Sequence, residues 1–224
     1  MTLKLLTIVV LGIGFTAIAP VAHAIPIVNG SFEALDWVGH RYDLESNPIP
    51  GWTAFDPGNA SPLYPWGVDN SEVGSTPFGD QFVVLGGFGG DLGTSIQQTV
   101  GGLTVGGGYT LSFALSSEGY SAGGWTGHSN VLLNMVAGSA TASAVYSPVL
   151  SVNDWWDTWA MFTYNFTANA TSVTFAFEDL APTGTGLDIG IDNVSLEVIP
   201  EPSSLALLGI GLAGAGMRLR RRKK

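Results

Sequence analysis

The chain has 224 residues, no cysteine, and eight Lys and Arg against eighteen Asp and Glu, a formal net charge of −10. No disulfide can staple it, so stability must come from a packed core or a bound ion. Only 12% of the residues are charged while 46% are hydrophobic and 11% aromatic, which excludes a disordered polyelectrolyte and leaves enough apolar surface for a core.

In chain order, Lys4 precedes an apolar stretch from Leu5 to Ala19, and Ala22-His23-Ala24 places small residues at the two positions a signal peptidase reads. Residues 1–24 therefore read as a signal peptide helix, with cleavage after Ala24. Ile27-Val28 begins a first strand. A turn-rich segment from Asp36 to Gly79, broken by Ile49-Pro50-Gly51-Trp52 and Pro57-Gly58, reads as surface loops with one or two strands. Gln81–Leu85 and Ser95–Val100 are the next strands. In Tyr109–Leu115, Tyr109, Leu111, Phe113 and Leu115 alternate with small or polar residues, a period of two with one buried face. After a loop around 120–129, Asn130–Val136 and Thr158–Thr167 are strands, the latter with Trp159, Met161 and Thr163 on one face and Phe162, Tyr164 and Phe166 on the other. Val173, Phe175 and Phe177 mark another, and Gly190–Ile199 closes the series. Short strands separated by Gly, Asn and Pro turns predict an all-β antiparallel sandwich over residues 25–199.

The last segment, 200–224, has three parts: Pro200-Glu201-Pro202, an apolar run from Leu205 to Met217, and Arg218, Arg220, Arg221, Arg222, Lys223 and Lys224. A helix must start after the prolines, at about Ser203. Ser203 to Leu219 spans about 25 Å, a marginal bilayer crossing, with the cations held on the cytoplasmic side. Gly209-x-Gly211-x-x-Gly214 matches the dinucleotide fingerprint as a string, but no strand precedes it and no acid follows, so a nucleotide site is excluded.

Setting the two ends aside, Arg41 is the only Lys or Arg in 25–199, against seventeen carboxylates from Glu33 to Glu197, a formal charge of −16 with His neutral. Such a domain repels phosphate backbones, which excludes nucleic-acid binding, while divalent cations and neutral polymers remain as partners.

The three-part tail resembles the PEP-CTERM sorting signal of exported bacterial proteins. The resemblance implies an inner-membrane-anchored precursor, processing near Pro200, Glu201 and Pro202 by an exosortase, and a final location at the cell surface or outside the cell; an ordinary C-terminal anchor is the alternative. Asn29-Gly30-Ser31-Phe32-Glu33, Ile49-Pro50-Gly51-Trp52, Ser95-Ile96-Gln97-Gln98-Thr99, Tyr109-Thr110-Leu111-Ser112-Phe113 and Ile191-Asp192-Asn193-Val194-Ser195-Leu196 occur in the order seen in galactose-binding-like jelly-roll domains, to which the chain is similar. That resemblance implies a jelly-roll β-sandwich related to carbohydrate-binding modules, and a structural calcium held by Glu33 and Asp192 with backbone carbonyls. The Gly- and Pro-rich stretch between Trp52 and Asp80 departs from the pattern.

All seven tryptophans lie between residues 37 and 159. Trp52 and Trp159 read as core. An aromatic on a loop can stack on a sugar ring while polar neighbours take its hydroxyls, which makes Trp125 with His128 and Asn130, and Trp155-Trp156, the carbohydrate-binding candidates; the competing reading packs these rings in small cores beneath the loops. For catalysis, His40 and His128 are far apart, and neither a serine elbow nor an HExxH motif occurs. Glu178-Asp179 and Asp154/Asp157 are carboxylate pairs of the kind glycoside hydrolysis uses, but acids this numerous pair by chance. The expected function is non-catalytic binding of extracellular polysaccharide as a surface or biofilm-matrix component. The alternatives are a purely structural matrix protein and, third, a glycoside hydrolase.

Overall fold

The computed structural model describes residues 24–34, 49–55, 64–67, 76–85, 94–117, 130–150, 156, 158–180, 189–200 and 211. One compact unit comprises Ala22–Ile199; the other comprises Met1–Val21 with Pro200–Lys224, and the expected signal and tail helices fall outside the described residues. Among the described residues no helix is long and apolar enough to cross a membrane.

Among the described residues twelve strands form two sheets. The first has the order β10 (Ala160–Thr167), β6 (Gly108–Ser117), β12 (Ile189–Val198), β4 (Gln81–Leu85) and β3 (Tyr64–Gly67), with β1 (Ala24–Ile25) added on β12 and β9 (Val149–Leu150) on β6. The second has the order β2 (Thr53–Phe55), β5 (Ser95–Gly101), β11 (Ser172–Asp179), β7 (Val131–Ala137) and β8 (Ala140–Tyr146). Every pairing is antiparallel except β6 with β9, giving the expected all-β antiparallel architecture.

The alternation in β5, β7 and β11 turns Ile96, Val100, Val131, Leu133, Met135, Val173, Phe175 and Phe177 inward, where they meet Leu111, Phe113, Leu115, Ile189 and Ile191 of the first sheet. Phe113 and Phe177 touch edge to face across the layers, centroids 4.9 Å apart. Burying side chains of this size contributes about 1.5–3 kcal/mol each.

Three sequence expectations need correction. The first strand is Ala24–Ile25 and not Ile27-Val28: Val28 lies in a turn, and its backbone N–H and C=O are taken by the side-chain amide of Gln98, each at 2.9 Å, so a glutamine stands in for a neighbouring strand. Strand β8 lacks the hydrophobic alternation that would announce it, being mostly Ala, Ser and Thr. It forms through the two-residue turn at Gly138-Ser139, where Gly138 takes φ 61°. Finally, β6 is buried on both faces from Phe113 to Ser117, because a second layer covers that end of the first sheet.

That layer consists of Phe82, Trp156 and Trp159. Phe82 is fully buried and Trp156 only 1% exposed. Their rings lie 5.8 Å apart, Trp159 meets Phe82 edge to face at 5.0 Å, and the Trp159 indole donates to the Trp156 carbonyl at 3.1 Å. Beneath them sits Gly190, where any Cβ would stand 2.8 Å from Trp159 and 3.0 Å from Trp156.

Candidate binding face and the carboxylate pair

Asn29–Glu33 crosses the closing strand at a β-bulge between Asp192 and Ser195. Gly30 carries the crossing. Its carbonyl accepts from Val194 N–H at 2.8 Å, and a Cβ there would lie 2.1 Å from the Val194 carbonyl oxygen, so no other residue fits without moving backbone. Asn29 is left-handed (φ 52°); its side chain accepts from Ala34 N–H, and its carbonyl accepts from the Trp52 indole at 3.0 Å. Phe32 packs on Trp52 at 5.3 Å. Three of the five motifs that carry the jelly-roll resemblance, Asn29–Glu33, Ile49–Trp52 and Ile191–Leu196, therefore meet in one structural knot, with Gln98 of a fourth bonded to the adjacent Val28.

The two expected calcium ligands lie in this knot. Glu33 Oε1 accepts from the backbone N–H of Asp80 at 2.8 Å and of Gln81 at 2.7 Å. Asp192 is fully buried; one carboxylate oxygen accepts from the Thr76 hydroxyl and the other from Asn193 N–H at 2.6 Å. Burial pushes its pKa up to about 7; the Thr76 and Asn193 hydrogen bonds pull it down, and the nearby Glu33 raises it further. A buried carboxylate repelled by a second, in a domain whose single Lys or Arg is Arg41, is an environment that fits a cation. Among the described residues no group of three or more His, Asp or Glu converges, so backbone or hydroxyl oxygens would have to complete any shell.

The carbohydrate candidates separate. Trp125, His128 and Trp155 lie outside the described residues. Asn130 precedes β7, its side-chain oxygen accepting from Ser147 Oγ at 2.7 Å and its carbonyl from Leu180 N–H at 2.9 Å. The Trp156 ring is sealed between Phe82 and Gly190 and offers no face to a sugar. Of the carboxylate pairs, Glu178 and Asp179 are consecutive in β11 and point to opposite faces, Asp179 being 1% exposed; they cannot act on one bond. Asp154 and Asp157 lie outside the described residues.

The outward face of the second sheet is open among the described residues, and sequence reasoning did not single it out. Strand register lines up Phe55, Ser95, Glu178, Leu132 and Val145 in one row and Thr53, Gln97, Ala176, Asn134 and Ser143 in the next. Five strands at about 4.8 Å spacing make a platform about 19 Å across. Phe55 (60% exposed) stands at one margin and Val145 (57%) at the other. Between them Asn134 Nδ2 donates to Glu178 Oε2 at 3.2 Å, and Thr99 and Thr174 share a hydrogen bond of 2.7 Å. Phe55 and Val145 hold the margins, and between them amides, hydroxyls and one carboxylate alternate with Leu132 and Ala176, a mixture that meets the two kinds of surface on a sugar. Its signal in the sequence was the polar half of each alternating strand, whose register only folding sets.

Residues 198–222 match the PEP-CTERM protein-sorting motif. The chain therefore carries the sorting motif that implies export, a transient membrane-anchored state and processing by exosortase. No curated protein sequence matches it. Among solved structures it is similar to the Stig cyclase Fisc from Fischerella sp. TAU, crystallised with (3Z)-3-(1-methyl-2-pyrrolidinylidene)-3H-indole, at 20% identity and TM-score 0.63, covering 81% of this chain and 100% of that one. An apo-form cyclase from Fischerella sp. gives 22% identity and TM-score 0.57, covering 81% and 98%. A structure described as CBM4 gives 16% and 0.47, covering 78% and 100%. At these identities the likeness to the cyclases concerns the fold alone.

Proposed function

We propose that this is an exported, non-catalytic β-sandwich that binds extracellular polysaccharide across the outer face of its second sheet, at the cell surface or in the matrix. The observation that carries the reading is the platform itself: an exposed Phe55 and Val145 flanking Gln97, Asn134 and Glu178 on a sheet face that nothing else described in the domain covers. The Asn134–Glu178 hydrogen bond presets both side chains to receive hydroxyls, and the aromatic margin supplies ring stacking. Affinity electrophoresis of the native and Phe55→Ala proteins through gels containing soluble polysaccharides tests it. Retardation of the native domain that falls on substitution supports the reading; native mobility unchanged by any acidic or neutral polysaccharide leaves the structural matrix role in its place.

The same reading gives the knot a bound calcium at Glu33 and Asp192. It would offset the buried charge of Asp192 and tie the first described turn to the last strand, a staple for a domain without disulfides.

A further inference from the structure

The chain enters and leaves the sandwich at one pole. β1 runs antiparallel to β12 with Ala24 opposite Glu197, so the first described residue and the end of β12 lie at the same pole. β12 ends opposite Tyr109, and Ile199 N–H still donates to the Gly108 carbonyl at 2.8 Å. The sorting motif is matched from residue 198. No linker separates the last hydrogen bond of the sheet from the motif.

The same pole gathers three connections: 101–108 between β5 and β6, 137–140 between β7 and β8, and 168–171 between β10 and β11. They contain no Asp, Glu, Lys, Arg or His, in a domain of formal charge −16. The sequence that continues from the other strand ends, by contrast, carries Asp91, Glu118, Asp154, Asp157 and Asp188. Beside these uncharged connections stands the exposed Glu197 of β12, and the connections themselves are tied together by backbone hydrogen bonds. Gly106 N–H bonds the Ala168 carbonyl at 2.7 Å, Ala168 N–H the Gly107 carbonyl at 2.9 Å, and Leu103 N–H the Thr171 carbonyl at 3.0 Å, while the Tyr109 hydroxyl accepts from Thr104 N–H at 2.7 Å. Gly101, Gly102 and Gly106 have open space where a side chain would stand. From this surface project two apolar side chains, Val105 (59% exposed) and Ile199 (40%).

We infer that this pole is a membrane-resting face: while the tail is attached, the loops around Val105 lie on the lipid bilayer that holds it. The inference rests on the reading of residues 203–219 as a membrane segment. Only Pro200, Glu201 and Pro202 stand between the last sheet hydrogen bond at Ile199 and a membrane segment starting at Ser203, about 10 Å when extended, which leaves the domain little length with which to stand off. Acidic loops here would be repelled by anionic headgroups, whereas uncharged loops of Gly, Ala, Thr, Ser and Asn with one exposed valine admit shallow contact at the headgroup level.

The absence of native cysteine allows a direct test. Val105→Cys, Asn169→Cys on the same pole and Val145→Cys near the other end of β8 are each labelled with an environment-sensitive fluorophore in the full chain. The chain is then reconstituted in phosphatidylcholine–phosphatidylglycerol vesicles with and without a shallow doxyl-lipid quencher. The expected result is co-flotation of all three, a blue-shifted probe at 105 and 169, and quenching severalfold greater there than at 145. Co-flotation with equal, water-like probes at all three positions overturns the membrane-resting face while leaving the tail reading intact. Loss of flotation overturns the tail reading, and this inference with it. The two polar probes fold independently of one another, so failure of one variant leaves the other to decide. Probe protection confined to host membranes that contain the processing enzyme would assign the pole to that enzyme and overturn the lipid assignment.

Discussion

The knot at the closing strand and the outer face of the second sheet are built on opposite plans. In the knot, Gly30, Asn29, Phe32, Trp52, Gln98 and Asp192 are buried or locked by specific partners, and three of the five motifs that carry the jelly-roll resemblance meet there. On the sheet face the side chains repeat plainly along alternating strands, hold few partners, and leave Phe55 and Val145 in solvent. Motif density thus marks where the chain must fit itself, and plain alternation marks where it can meet something else.

The largest effect that could break this contrast is at Gly30. Gly30→Ala forces a Cβ to 2.1 Å from the Val194 carbonyl, and Trp52→Ala empties a site packed by Phe32, Phe175 and Phe177. Each should cost about 3–5 kcal/mol, read as a large fall in denaturation midpoint; a wild-type midpoint for either would mean that the knot does not hold the domain together.

Asp192 comes next. Its folded pKa of about 7 lies above the ordinary 3.8, so in chelator its contribution is fully present below about pH 4 and lost as pH rises through 7. At about 1.4 kcal/mol per pKa unit the loss is a few kcal/mol. The metal-free protein should therefore melt lower at pH 8 than at pH 5, and Asp192→Asn should flatten that profile. Added calcium should raise the melting temperature of the native protein at pH 8 and leave that of Asp192→Asn unchanged; no response to calcium in the native protein would remove the ion from the knot.

A smaller loss is expected for Gln98→Ala, which strands the Val28 backbone N–H and C=O. About 1–3 kcal/mol should be lost, with faster amide exchange at Val28. Least costly to the fold is Phe55→Ala: its ring is 60% exposed, so stability should change by less than about 0.5 kcal/mol while retention by polysaccharide falls. A stability loss as large as that of Trp52→Ala would mean that the face is core, and the contrast would fail.

The sequence by itself determined the fold class and the C-terminal sorting motif. Period-two alternation at 109–115, 160–167 and 172–179 encodes strands wherever one face must be apolar, and the tail is a local code of prolines, apolar residues and cations, legible without any contact. Trp52 was recognisable as core because a Pro-Gly turn delivers it inward. What depends on distant partners was decided by tertiary structure alone. Trp156, equivalent in sequence to any loop tryptophan, is sealed because Gly190, far along the chain, leaves room for its ring. Strand β8, nearly free of large side chains, exists because β7 offers an unpaired edge. Residues from five strands share the open face through hydrogen-bond register, and register is set by the whole sheet rather than by any segment of the sequence.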